Sequence, residues 1–166
     1  MTNLSNRRRA TALNDGRCDV RETGGENLFV PLSARPQSFC YACGPDNPHG
    51  LRLRFTHTEQ GEMIADWTPD AYTEGFQGIV HGGIVSTALD ESMAKAVVAT
   101  REEALTAELR VRFRRHVVAG KAVRVRGWIT ARKRRVIQTE ATLCDAVGTE
   151  FAHAWATFMV LKERGE

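Results

Sequence analysis

The sequence predicts an α+β protein in which one antiparallel sheet wraps a single long central helix. Three observations lead there. Ile84, Val85, Ala88, Leu89, Met93, Ala96 and Val97 recur at helical spacing and mark a helix over about 84–99. Four segments after it alternate apolar and polar residues, with short turn signals between them. Two further alternating segments precede it. Consecutive antiparallel strands need only short connections, and one helix with one such sheet makes a two-layer α+β arrangement.

Residues 1 to about 37 are polar and rich in Arg, Gly and Asn, and Gly24-Gly25, Pro31 and Pro36 break any periodicity. They read as a mobile N-terminal arm, in which Asn27-Leu28-Phe29-Val30 forms a short edge segment docked on the domain at 38–166. Phe39 to Leu51 is turn-rich. Leu51 to Phe55 alternates as a strand, Glu62 to Trp67 is its partner, and residues 68–80 connect to the helix. Beyond the helix, Leu109, Val111 and Phe113 alternate with Arg110, Arg112 and Arg114. Val123, Val125 and Ile129 alternate with Arg124, Arg126 and Trp128, and Gly127 interrupts the inner face. Val136 to Cys144 and Phe151 to Leu161 complete the set. Met93 reads as core, and Trp67, Trp128 and Trp155 as packing residues of the sheet or an interface. The sheet's edges and outer face still need cover, so a dimer or higher oligomer is expected.

The chain has 166 residues, 42% of them hydrophobic, and a net charge of +3, which suits one globular domain. No run approaches the ~20 apolar residues that span a bilayer. The arginines at 7–9 precede no apolar stretch, so no secretory signal is read and a cytoplasmic protein is expected. Arg110, Arg112, Arg114 and Arg115 form one basic cluster, and Arg132, Lys133, Arg134 and Arg135 another. Such clusters are either solvated strand faces and a charged turn, or a landing site for phosphates. No nucleic-acid motif accompanies them, so neither nucleic acid nor membrane is an expected partner.

Cys40 and Cys43 form a C-x-x-C with His49 six residues on. That is half a zinc site, since structural zinc takes four ligands. Neither a second C-x-x-C nor a thioredoxin-like setting is present, so a plain buried loop thiol pair is expected, with no metal and no cofactor.

The stretch from Gly78 to Glu91, GIVHGGIVSTALDE, carries the most chemistry. A Gly-Gly pair lets backbone pass close to a ligand. The first turn of the following helix offers free N–H groups and the positive end of the macrodipole, a place for a developing oxyanion. Asp90 stands eight residues beyond Gly82, on a helix meant to be buried, where Asp is a poor helix former. Glu91 is rotated ~100° from it and reads as a solvated or interface carboxylate, the second choice of catalyst. His81 can act as a base or brace the turn.

Three stretches resemble the hotdog-fold acyl-CoA thioesterases, especially the phenylacetate-degradation-type (PaaI-like) branch. They are Cys40-Tyr41-Ala42-Cys43-Gly44-Pro45-Asp46-Asn47-Pro48-His49-Gly50-Leu51, the segment from Gly78-Ile79-Val80-His81-Gly82-Gly83 through Leu89-Asp90-Glu91, and Thr106 to Phe113. The similarity covers about residues 38–161. It implies a hotdog fold and hydrolysis of an acyl-CoA or similar thioester by a homodimer or homotetramer. It implies Asp90 as general base or nucleophile, the Gly82 N–H as the group that polarises the carbonyl, and Thr106 as a water-orienting residue. His81, Gly83, Gln77, Glu91, Arg112 and Arg114 are expected at the substrate, the arginines meeting phosphates at the mouth of the site. Some relatives carry Asn seven residues before the Gly82 position. This chain has Gly75 there, with Gln77 as a substitute. The alternatives are a hotdog enoyl-thioester hydratase or dehydratase, which needs a His paired with an acid, and a non-catalytic acyl-thioester binding module.

Overall fold

A computed structural model describes residues 39–161. The arm at 1–37 and its segment at 27–30 lie outside the described residues. The helix, α1, runs Gly82–Val98 and buries Val85, Ala88, Leu89, Ser92, Met93, Ala96 and Val97. These fall at i, i+3, i+4, i+7, i+8, i+11 and i+12, one continuous stripe. Leu89 and Met93 are fully buried. Each such side chain contributes roughly 1.5–3 kcal/mol of hydrophobic stabilisation. Ser92 enters this stripe at little cost because its hydroxyl donates to the Leu89 carbonyl at 2.7 Å.

The strands are β1 (Thr56–His57), β2 (Met63–Trp67), β3 (Glu74–Phe76), β4 (Ile79–Val80), β5 (Ala104–Phe113), β6 (Val123–Lys133), β7 (Val136–Cys144) and β8 (Glu150–Val160). Six of them form one antiparallel sheet in the order β1-β2-β6-β7-β8-β5, and β3 pairs with β4. The helix packs on one face of the large sheet, mostly against β6. Facing it are Val123 and Val125 of β6, Ile137, Thr139, Ala141 and Leu143 of β7, and Ala152, Ala154, Ala156 and Phe158 of β8, all buried. The alanines of β8 keep that part of the face thin.

Gly127 breaks the inner pattern of β6 for a specific reason. A Cβ there would lie 2.5 Å from the Ser92 carbonyl carbon, 2.6 Å from its oxygen and 2.7 Å from the Met93 nitrogen. The helix backbone crosses the sheet at this point, and only hydrogen fits between the two layers.

Two segments differ from the expected reading. Leu51 to Phe55 alternates in burial, with Leu53 and Phe55 in the core, but the paired strand is Thr56–His57. The N–H groups of Leu51 and Leu53 donate instead to the Tyr41 and Ala42 carbonyls, so this stretch is extended against the preceding loop. Residues 68–80 are more than a connection. They hold a 3-10 turn at Ala71–Thr73, capped by Asp70, followed by the β3–β4 hairpin.

The outer face carries Trp128, His153 and Trp155. Trp155 stacks on His153 at 4.3 Å between ring centroids, and Arg110 and Arg126 lie over the Trp155 and Trp128 rings. Trp67 packs in the core. β5 forms one edge of the sheet, with Leu105, Leu109 and Phe113 exposed.

Candidate active site

The helix start is built by a side-chain cap. His81 takes the extended conformation before the first turn, and its Nδ1 accepts from the Gly83 N–H at 2.9 Å. The His81 carbonyl accepts from Ile84 and Val85. Gly83 is thereby committed to bracing. Among the described residues the Gly82 N–H meets no acceptor. A helix N-terminus with one unsatisfied donor is a natural site for negative charge on oxygen.

Gly82 opens onto a cleft of about 670 Å³. Ile79, Val80, Val85 and Phe113 line its apolar part, and Arg114, Arg115 and His116 its polar part. The two arginines differ. Arg114 is bonded through Nε to the buried Glu150. Arg115 is exposed on the same cleft. Both belong to the basic cluster of the sequence, and Arg114 is the one expected at the substrate. Arg112 stands opposite His153 of β8, on the outer face, and does not line the cleft.

Gly75 also lines the cleft. A Cβ there would lie 2.9 Å from the His81 ring and 3.1 Å from its Cα. The cap residue therefore fills the space that a side chain at 75 would need. Gln77 is exposed in the hairpin turn and is not among the residues that line the cleft.

Asp90 sits two turns further along the helix, half-buried, with Oδ1 accepting from the Thr106 hydroxyl at 2.9 Å. Burial pushes its carboxyl above the usual range, the Thr106 bond pulls it down, and the neighbouring Glu91 adds to the rise. A break in strand register brings Thr106 there. Thr106 pairs with Phe158 and Glu108 with Thr157, so Ala107 is an extra residue in β5. Past this bulge Leu109, Val111 and Phe113 share a face with the buried alanines of β8. Without it, strict alternation would put Thr106 on the opposite face from these three. The bulge re-aims Thr106 toward the helix, a common use of bulges beside functional groups.

Glu91 turns elsewhere. Its carboxylate pairs with Lys95 at 3.3 Å and accepts a long contact from the Cys40 thiol at 3.9 Å. Its side chain is 16% exposed, so it is not a freely solvated carboxylate. Cys43 lies beside it, and burial followed by the Glu91 carboxylate pushes that thiol up to about 12. Cys40 is exposed and Cys43 half-buried, so the pair is not the buried one expected, because the loop turns its Ala42 rather than its thiols into the core; His49 is not part of this group.

The arrangement offers an ionisable carboxylate with a hydroxyl partner, and a separate unsatisfied N–H at an apolar cleft. A thioesterase superfamily model matches residues 77–155, which include the helix start, Asp90, Thr106 and the cleft arginines. Among solved structures, a thioesterase superfamily protein shares 22% identity at a TM-score of 0.70, over 72% of this chain and 62% of its own. This chain thus spans less than two thirds of that protein's length. A phenylacetic acid degradation-related protein from Ralstonia eutropha JMP134 shares 29% identity at a TM-score of 0.61, over 66% of this chain and 86% of its own. A protein from Streptococcus mutans UA159, solved bound to acetyl CoA, shares 19% identity at a TM-score of 0.62, over 68% of this chain and 91% of its own. Among curated proteins none matches.

One long helix on a large antiparallel sheet, matched by these structures, is the hotdog fold. Within that class the chain resembles the thioesterase superfamily, phenylacetic acid degradation-related members included. No helix among the described residues is long and apolar enough to cross a membrane.

Proposed function

We propose that this protein hydrolyses an acyl-CoA, or a similar acyl thioester, to the free acid and thiol. The observation that carries the reading is the Thr106-bonded, half-buried Asp90 carboxylate on the helix whose first N–H is left open. Asp90 takes a proton from water as it attacks the thioester carbonyl, or attacks directly to give an anhydride that water cleaves. Thr106 donates to Asp90, which leaves its oxygen lone pairs to accept from that water. The Gly82 N–H receives the charge that builds on the carbonyl oxygen. The apolar wall of Ile79, Val80, Val85 and Phe113 suits the acyl group, and Arg115 with His116 suits phosphates at its mouth. A hydratase would need a His paired with an acid across the site, and the bond from the Gly83 N–H to His81 Nδ1 supports a bracing role for this histidine instead.

Eight residues of helix separate Gly82 from Asp90 by about 12 Å, too far to meet at one carbonyl. The Gly82 N–H of one protomer and Asp90 of a second copy therefore form one site. A second copy along β5 also covers the exposed Leu105, Leu109 and Phe113.

The test is release of free thiol from a series of acyl-CoA substrates, run beside a complementation assay. Asp90→Asn and Gly82→Pro chains should each be nearly inactive. Co-expressed, they should recover about a quarter of wild-type activity, because half of randomly assembled dimers carry one intact site. Recovery of none, with mixed dimers present, would refute the shared site. No thiol release from any acyl-CoA would refute the hydrolase.

Two further outcomes are expected. Activity (kcat/KM) should fall as pH drops through the raised Asp90 pKa, because the proton acceptor must be ionised. Thr106→Val removes the bond that pulls this pKa down, so the acid limb should move to higher pH. A limb that stays put would detach Thr106 from the chemistry. Arg115→Ala should raise KM for a CoA ester about tenfold, and much less for a truncated thioester without the phosphates. Equal effects on both substrates would remove Arg115 from phosphate binding.

A further inference from the structure

Away from the cleft, the loop before β1 and the helix bring three metal-binding atoms together. Cys40 Sγ, Cys43 Sγ and a Glu91 carboxylate oxygen lie within 4.8 Å of one another. The loop is folded for this. The Gly44 N–H donates to the Cys40 carbonyl at 2.8 Å and closes a tight turn around both cysteines. Ala42, between them, is buried in the core, and the Leu51 and Leu53 amides fasten Tyr41 and Ala42 on either side. Arg54 adds a bond to the Cys43 carbonyl at 3.3 Å. Glu91 comes from the rigid middle of α1, its carboxylate steadied by Lys95 at 3.3 Å. The donors thus stand on two anchored elements that are distant in sequence.

We propose that Cys40, Cys43 and Glu91 form a binding site for a thiophilic divalent cation, zinc foremost. Sulfur donors with one carboxylate select zinc over calcium or magnesium, which take oxygen. Zinc–sulfur bonds of about 2.3 Å in a tetrahedron set the two sulfurs just under ~4 Å apart, a spacing compatible with donor atoms that all lie within 4.8 Å of one another. The charges close as well. Two thiolates and a carboxylate beside the Lys95 ammonium sum to minus two, which a divalent ion neutralises. Binding sends the two thiol protons to solvent, and the fourth position is left for water or a soft ligand. The half-motif seen in the sequence is completed by the helix carboxylate rather than by His49. Such an ion ties the loop to α1 at the residue after Asp90. The site is independent of the thioester reading.

The test uses the full chain, reduced and stripped with a chelator, then titrated with cobalt(II) alone. Thiolate-to-cobalt charge transfer and tetrahedral ligand-field bands should rise to saturation at one cobalt per chain, and added zinc should erase them. Cys40→Ser and Cys43→Ser should each abolish the charge-transfer band as measured in a folded protein, checked by circular dichroism. Glu91→Gln should weaken cobalt binding at least about tenfold and alter the ligand-field bands. Absence of thiolate bands in the reduced wild type would overturn the proposal. So would bands that survive Cys43→Ser, or that are unchanged in Glu91→Gln.

Discussion

Asp90→Asn is expected to lower acyl-CoA turnover by about 10²- to 10⁴-fold, the range over which a positioned proton acceptor acts. The amide is nearly isosteric and can still accept from the Thr106 hydroxyl through its oxygen, so the 2.9 Å contact survives while the basicity is lost. KM should change far less than kcat, because the lost interaction belongs to the reacting state. Stability supplies an independent check. Burial raises the Asp90 pKa in the folded chain. An acid raised in this way favours folding when protonated and opposes it once ionised, so the penalty is present above the raised pKa and absent well below the unfolded value. A neutral Asn removes that penalty, so the melting temperature at neutral pH should be unchanged or higher. Turnover that persists in Asp90→Asn would end the assignment. A lowered melting temperature would mean that the carboxylate is a structural partner.

The second large effect is on folding. Gly127→Val puts a branched side chain where a Cβ alone would stand 2.5 Å from the Ser92 carbonyl carbon. The obstacle is helix backbone, not the flexible end of a side chain, so the helix must lift from the sheet. Overpacking typically costs 1–3 kcal/mol and this case belongs at or above the upper end, about 3 kcal/mol. That corresponds to a fall in melting temperature on the order of 10 °C for a domain of this size. Thermal unfolding followed by circular dichroism measures it. A fall of less than ~2 °C would show that helix and sheet slide apart freely, contrary to the packing of Leu89 and Met93.

The helix and the four strands after it were legible because their periods differ so sharply. The stripe from Val85 to Val97 repeats as a helix repeats, and β6 to β8 alternate. Asp90 stood out as a poor helix former in the interior of a helix that carries a long apolar stripe. What stayed hidden depended on partners far along the chain. Arg114 and Arg115 are adjacent and equal in composition, but only the fold shows that Glu150 engages Arg114. Glu91 looked like a solvated carboxylate because Cys40 and Cys43 lie some fifty residues away. Gly127 read as an interruption, with nothing in the local pattern to say that a helix crosses above it. The extended stretch at 51–55 had the right alternation for a strand, but its amides found the preceding loop instead of a neighbouring strand. Gln77 and Arg112 have the chemistry expected of them at positions that do not line the cleft.

The extra residue in β5 has a consequence for how this protein can vary. Edge strands ordinarily absorb changes of length, since few neighbours depend on them. Here Ala107 is the residue left without a partner: removing it would keep Thr106 opposite Phe158 and Leu109 opposite Ala156, because plain alternation then puts both on one face. The insertion is thus the one place where this strand can shorten by a residue without turning Thr106 away from the helix.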